Sequence, residues 1–143
     1  MSNRTPLIIA LIAHDSKKEE LADFVIENLT FFLSNGVEII STDSTGRKIE
    51  EIGINVIRFN SGPLGGDAQI ASRVVEGNCD LVFFFRDPLD KHPHDCDIEM
   101  LSRVCDVYNV PIATNSSSAK LLIDGLCANH ERFLKEKSLK MRL

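Results

Sequence analysis

Two hydrophobic patterns alternate along this chain. Leu7–Ala13 is an unbroken apolar run, the pattern of a strand buried on both faces. From Ser16 the period changes: Leu21, Phe24, Val25, Leu29 and Phe32 recur at three- and four-residue spacings until Asn35-Gly36. That spacing predicts an amphipathic helix with a glycine stop. Ser16 followed by Glu19 reads as a capping box at its start. The alternation then repeats. Strands are expected over 37–41, 54–59, 81–85 and 110–113, and helices over 45–52, 67–76, 97–108 and 117–126.

Five strands alternating with five helices through short turns predict an α/β fold with a parallel sheet and helices on both faces. No linker, repeat or low-complexity segment divides the 143 residues. The expectation is one doubly wound domain spanning 1–143. In such sheets ligands bind outside the carboxyl ends of the strands. The loops expected to meet there begin at His14, Thr42, Asn60, Arg86 and Thr114.

Composition narrows the function classes. Hydrophobic residues make up 43%, enough for a core, and the net charge is −5. That charge, with no basic run interleaved with aromatics, argues against nucleic acid as a partner. The apolar run at 7–13 is too short to cross a membrane and lacks a signal-peptide cleavage pattern. Cys79, Cys96, Cys105 and Cys127 are scattered, as expected of reduced thiols in a cytoplasmic protein. Basic residues gather between Arg132 and Arg142, which reads first as a solvated terminal helix.

Four loops hold most of the unusual polar residues. Ser61-Gly62-Pro63-Leu64-Gly65-Gly66-Asp67 follows a strand and opens a helix. Its glycines allow close backbone approach and the helix start favours an anion, yet Asp67 puts a carboxylate there. A base beside a bound phosphate suggests chemistry on a small phosphorylated molecule. The spacing matches neither the dinucleotide fingerprint nor a Walker A loop. His14-Asp15 precedes Lys17 and Lys18 in a first helical turn, where cations oppose the macrodipole unless an anion compensates. Thr42, Ser44 and Thr45 offer hydroxyls at another helix start, either as ordinary caps or as half of a phosphate cradle. The fourth loop carries Asp87, His92, His94, Asp95 and Asp97. Those groups suit proton transfer beside a phosphate, and the same residue types also suit a metal ion. Asp95 and Asp97 also suit a helix start, and Asp87-Pro88 suits a turn.

The segments 11–15 with Lys18, 41–46, 61–70 and 87–97, together with Pro111-Ile112-Ala113-Thr114-Asn115, resemble the methylglyoxal synthase family. The resemblance runs from residue 7 to about 125, with the elements in family order. It implies a lyase that converts dihydroxyacetone phosphate to methylglyoxal and inorganic phosphate, with no cofactor and no metal. It further implies that Asp67 is the base and that His94 stabilises or protonates the enediolate oxygen. Asp87 and Asp97 would hold the polar network, and His14 would be a further acid touching the substrate. Lys18, Thr42, Ser44, Thr45, Ser61 and Gly62 would hold its phosphate. A homohexamer inhibited by phosphate is implied as well. The chain departs from the family pattern at Ala68, Arg86 and Ser44. Where the family has a C-terminal arginine that contacts phosphate across subunits, the nearest register gives Lys137, with Arg132 and Arg142 nearby. The alternative is a non-catalytic effector domain of the same fold, which needs the cradle but not Asp67, His94 and Asp97 together. A response-regulator receiver is set aside, because Phe59-Asn60-Ser61 stands where its phosphoacceptor would be.

Overall fold

The computed structural model describes residues 6–129, 131–133, 135 and 136. Lys137 and Arg142 lie outside the described residues; Arg132 lies inside them and pairs with Glu136 at 3.4 Å. Strands β1 (Leu7–Ala13), β2 (Val37–Ser41), β3 (Val56–Arg58), β4 (Leu81–Phe85) and β5 (Ile112–Ala113) form one sheet in the order β3-β2-β1-β4-β5. Every pairing is parallel. The helices are α1 (Lys18–Glu27), α2 (Leu29–Phe32), α3 (Asp43–Glu50), α4 (Gly66–Val75), α5 (Asp95–Val107) and α6 (Ser116–Ala128).

The alternation of a strand sends successive side chains to opposite faces, and β1 shows it in one run. Leu7, Ile9, Leu11 and Ala13 pack with residues of α1, α2, α3 and α6, while Ile8, Ala10 and Ile12 pack with α4 and α5. The Phe83-Phe84-Phe85 run divides the same way, with Phe83 and Phe85 on the first face and Phe84 on the second. Each fully buried phenylalanine contributes roughly 1.5–3 kcal/mol of transfer free energy. The doubly wound α/β architecture is therefore as expected.

Boundaries differ in instructive ways. The expected capping box does not form, because the Ser16 hydroxyl donates to Asp87 Oδ2 at 2.7 Å. Residues Asp15–Lys17 make a 3-10 turn instead, and α1 begins at Lys18. The long first helix is broken at Asn28, whose side-chain amide donates to the Phe24 carbonyl at 2.9 Å. The two edge strands are shorter than expected, at 56–58 and 112–113. An edge strand has one neighbour, so fewer ladder bonds hold its ends; Ile54 is still buried in the core although it lies outside β3. Gly36, Gly53 and Gly77 follow their helices with positive φ, as the stop pattern required.

Candidate functional site

Between β1 and β4 the strand order reverses direction, and the loops after β1, β2, β3 and β4 converge there. They line a cavity of about 350 Å³ that includes Ile12, His14, Thr42, Ser44, Ser61, Gly62, Asp67, Asp87, His92 and His94. A larger cavity of about 930 Å³ lies away from these loops, lined by Val74–Asp80, Cys105 and 108–112 among others. It contains none of the converging chemistry, so the smaller one is the candidate site.

Glycines bring the backbone close. A Cβ at Gly66 would sit 1.9 Å from the Asn60 carbonyl oxygen, so only glycine fits where α4 starts. A Cβ at Gly62 would sit 2.9 Å from His94 Nε2 and 3.2 Å from Asp67 Oδ2. The turn at Gly62–Leu64 is therefore pressed against Asp67 and His94. Asp67 lies in the first turn of α4, is wholly buried, and has neither carboxylate oxygen hydrogen-bonded. His94 Nε2 stands 3.5 Å from Asp67 Oδ2, outside hydrogen-bond length but within ion-pair reach. Burial raises the Asp67 pKa above the ordinary carboxylate value, the His94 charge opposes that rise, and Asp97 adds to it. A base with a raised pKa and free lone pairs is suited to taking a proton near neutral pH.

His14 occupies the end of β1, with its backbone N–H bonded to the Phe85 carbonyl at 3.1 Å. Its Nδ1 accepts a hydrogen bond from the Asp87 backbone N–H at 2.8 Å. An accepting Nδ1 places the proton of the neutral ring on Nε2, which is buried, unpartnered and at the cavity wall. Burial pushes the His14 pKa down to about 4, with His92, His94 and Arg86 adding to the fall and Asp87 opposing it. His14 is thus a neutral donor above that pH.

The opposite wall is α3. Thr42 sits at its N-cap with extended backbone and no side chain capping the helix. Helix starts of this kind leave backbone donors available to an anion. Thr42, Ser44, Ser61 and Gly62 line the cavity. Two other residues expected at the phosphate are not among the lining residues. The Thr45 hydroxyl accepts from the Ala13 N–H and donates to the Ala13 carbonyl, both at 3.2 Å, tying α3 to β1. Lys18 stands at the rim, where its Nζ donates to Ser44 Oγ at 2.8 Å and pairs with Asp15.

Asp87 and Asp97 support the site without lining it equally. Asp87 accepts from the Ser16 hydroxyl at 2.7 Å and the Leu89 N–H at 3.1 Å. The Ser16 hydroxyl first, then the Leu89 N–H, hold its carboxyl below the usual range. Asp97 is half-buried in the first turn of α5, acts on Asp67 through charge, and does not line the cavity. The Asp95 carboxylate accepts from the His92 N–H at 3.3 Å, which fixes the loop before α5. Among the described residues, no group of three His, Cys, Asp or Glu side chains is arranged to hold a metal ion. Cys79, Cys96, Cys105 and Cys127 are all free thiols, with burial pushing Cys79 up to about 12 and Cys105 up to about 11. No helix of the described residues is long and apolar enough to cross a membrane.

Sequence reading passed over two participants. By its spacing Ser16 reads as a cap, and His92 reads only as one of several loop groups suited to proton transfer or a metal ion. His92 had a signal: an imidazole two positions before His94, with a stiff proline between them.

The chain is similar to known proteins. The model of the MGS-like domain family matches residues 24–114. A methylglyoxal synthase of Borreliella burgdorferi strain ZS7 is 48% identical over 119 residues, covering 82% of this chain and 93% of that protein. A methylglyoxal synthase of Carboxydothermus hydrogenoformans is 54% identical over 119 residues, covering 82% and 97%. The crystal structure of methylglyoxal synthase from Elizabethkingia anophelis NUHP1 superposes with a TM-score of 0.75 at 39% identity, covering 83% of this chain and 78% of that one.

Proposed function

This chain belongs to the methylglyoxal synthase family, and on that premise we propose that it converts dihydroxyacetone phosphate to methylglyoxal and inorganic phosphate. The observation that carries the reading is Asp67: a buried carboxylate with two unpartnered oxygens, 3.5 Å from an imidazole, in a cavity walled on its other side by Thr42, Ser44, Ser61 and Gly62.

The chemistry follows from what each group can do. Asp67 takes a proton from the hydroxymethyl carbon, and the C–H electron pair becomes the C=C bond of an enediolate. Negative charge builds on the former carbonyl oxygen, where His94 and the Nε2–H of neutral His14 donate to it. Preorganised donors at such an oxygen are typically the largest contribution to rate. The terminal hydroxyl of the enediolate then gives up its proton, and its electrons form the aldehyde C=O. The C=C pair shifts to the neighbouring carbon, and phosphate leaves with the C–O pair and that proton. The remaining enolate takes a proton at its methylene carbon to give methylglyoxal. Ser61, Gly62, Thr42, Ser44 and the open start of α3 hold the phosphate, with Lys18 at the rim and the Thr45 hydroxyl fixing α3. Held perpendicular to the enediolate plane, the C–O bond can break; held in that plane, it cannot. Triosephosphate isomerase, a standard example of a neutral imidazole polarising a carbonyl, forms the same intermediate and protonates it instead. Asp87 orients His14 through its backbone N–H, and Asp97 tunes Asp67 through its charge.

Further expectations rest on the family likeness. The full 143 residues form one domain, work in the cytoplasm, and assemble as a homohexamer, which the exposed Leu64 and Leu89 favour (75% and 97% accessible in the single chain). Free phosphate competes for the cradle and inhibits. The test is incubation of the purified protein with dihydroxyacetone phosphate while both products are followed. Equimolar methylglyoxal and phosphate support the reading; binding without turnover overturns it.

A further inference from the structure

His92 is a polar residue of the cavity that the mechanism above does not use. Its ring stacks on His14, with centroids 3.8 Å apart and planes within 22°. Its centroid lies 5.6 Å from that of His94, and His94 lies 6.0 Å from His14. The three imidazoles therefore form a compact patch at one end of the cavity, all of them among its lining residues. The loop carrying His92 is fixed by the bond from its N–H to Asp95 and by Pro93. Yet His92 Nε2 is buried with no hydrogen-bond partner.

A ring needed only to fill space beside His14 has no use for that nitrogen. Phenylalanine would stack as well and would leave no buried polar atom unsatisfied, and such atoms are rare in folded proteins. An unpartnered nitrogen, on a fixed loop and at a cavity wall, fits a partner that arrives with the ligand. The neighbours say which end of the ligand. His14 and His94 face the developing enediolate, whereas the phosphate-holding groups come from α3 and the turn at Gly62–Leu64.

We propose that His92 is a third ligand-contacting imidazole, donating from Nε2 to the enediolate end of the bound molecule and not to its phosphate. This rests on the lyase reading above. The contact adds a donor where charge accumulates, so its loss is felt in turnover more than in phosphate affinity.

The experiment compares His92→Phe, which keeps the stacked ring but removes both nitrogens, with His92→Gln, which restores a side-chain donor. 2-Phosphoglycolate, whose planar carboxylate stands in for the enediolate, is the first probe and inorganic phosphate the second. His92→Phe is expected to lower kcat and weaken 2-phosphoglycolate by about tenfold or more, the size of one lost hydrogen bond. Inorganic phosphate affinity should stay within about twofold, and His92→Gln should recover part of both losses. In the unaltered protein, the ¹⁵N resonance of His92 Nε2 should move with 2-phosphoglycolate and stay in place with phosphate alone. An unmoved resonance with both probes overturns the proposal even if the phenylalanine variant fails to fold. Equal weakening of both probes overturns it too, by placing the ring at the phosphate. Unaltered turnover in His92→Phe does the same while leaving the lyase intact; absence of turnover in the unaltered protein defeats the lyase reading itself.

Discussion

The two walls of the cavity treat their polar groups differently. On the β2–α3 wall, hydroxyls have partners within the fold: Ser41 donates to the Leu11 carbonyl at 2.7 Å, Thr45 exchanges bonds with Ala13, and Ser44 accepts from Lys18 while its own O–H stays available. On the facing wall, both Asp67 oxygens, His14 Nε2, His92 Nε2 and His94 Nδ1 are buried and unpartnered. Each such atom costs about 1–3 kcal/mol if nothing meets it. Folded proteins seldom tolerate a cluster of them, so the cluster locates where a ligand must complete the bonding. On the proposed reading, the first wall positions and the second reacts. Substitutions on the two walls should therefore separate stability from turnover.

The largest effect is expected at Asp67. Asp67→Asn keeps the shape and removes the base, and product formation should fall by about a hundred- to ten-thousand-fold. Stability should move the other way. Burial raises the folded pKa of Asp67 above its unfolded value, so in that window the folded chain holds the proton more tightly. Stability from this group is then lost as pH rises, and the ionised carboxylate costs stability at neutral pH. The asparagine variant should melt higher than the parent at pH 7, with the gap closing near pH 4. A variant that is fully active, or that melts lower at pH 7, would break the contrast between the walls.

How much of this was readable beforehand depends on sequence distance. The Phe83-Phe84-Phe85 run, the β1 run and the glycine stops are local signals, and they predicted the parallel α/β sheet and its order of elements. Asp67 and His94 were readable because the glycine turn and the loop before α5 are unusual compositions at the right edge of the sheet. What escaped was long-range pairing. Ser16 looked like a cap because Glu19 is three residues on, but its hydroxyl is claimed by Asp87, 71 positions away. The Thr45 hydroxyl reads locally as a cap or a phosphate ligand, while its bonds run to Ala13, 32 positions away. The tautomer of His14 is set by the Asp87 N–H, 73 positions on, and no pattern around His14 announces it. Local chemistry named the candidates; tertiary partners decided which of them were free to react.

His14 comes next in expected size. In His14→Asn the side-chain amide oxygen can still accept from the Asp87 N–H, but the Nε2 donor is gone. Turnover should fall by about a hundred- to a thousandfold if that donor faces the enediolate. The pH dependence of stability gives an independent reading. His14 has its pKa pushed from the ordinary 6.5 down to about 4. Between those values the unfolded chain binds the extra proton, so the parent should gain stability as pH rises from about 4 to 6.5 and hold it above. The asparagine variant should lose that part of the slope in thermal melts. A slope unchanged by the substitution would mean that His14 titrates as it does in the unfolded chain.

Gly62→Ala sharpens the comparison at the seam between the walls. Gly62 is not among the positive-φ residues, so its backbone accepts alanine, but the new Cβ would press on His94 and Asp67 at 2.9 and 3.2 Å. The pair must shift by a few tenths of an ångström, and misplacement approaching 1 Å costs about a hundredfold. A loss of roughly ten- to a hundredfold in kcat with a near-parental melting temperature is expected. Gly66→Ala is its control: the Cβ would meet a backbone carbonyl at 1.9 Å, so the fold should suffer and not only the rate.

The smallest effect on turnover is expected from Thr45→Val, the most direct probe of the bonded wall. Valine matches threonine in shape and removes the hydroxyl that holds α3 to the last residue of β1. Ala13 then loses a side-chain donor and acceptor in a buried place, so stability should drop by about 1–3 kcal/mol. The backbone donors at the start of α3 remain, and the reactive wall is untouched. kcat should therefore stay within about threefold at temperatures where the variant is folded, and KM for the phosphorylated substrate should rise modestly as α3 loosens. A variant with parental stability but a collapsed kcat would move Thr45 to the reacting side, because a hydroxyl spent on the fold cannot be missed by the transition state alone.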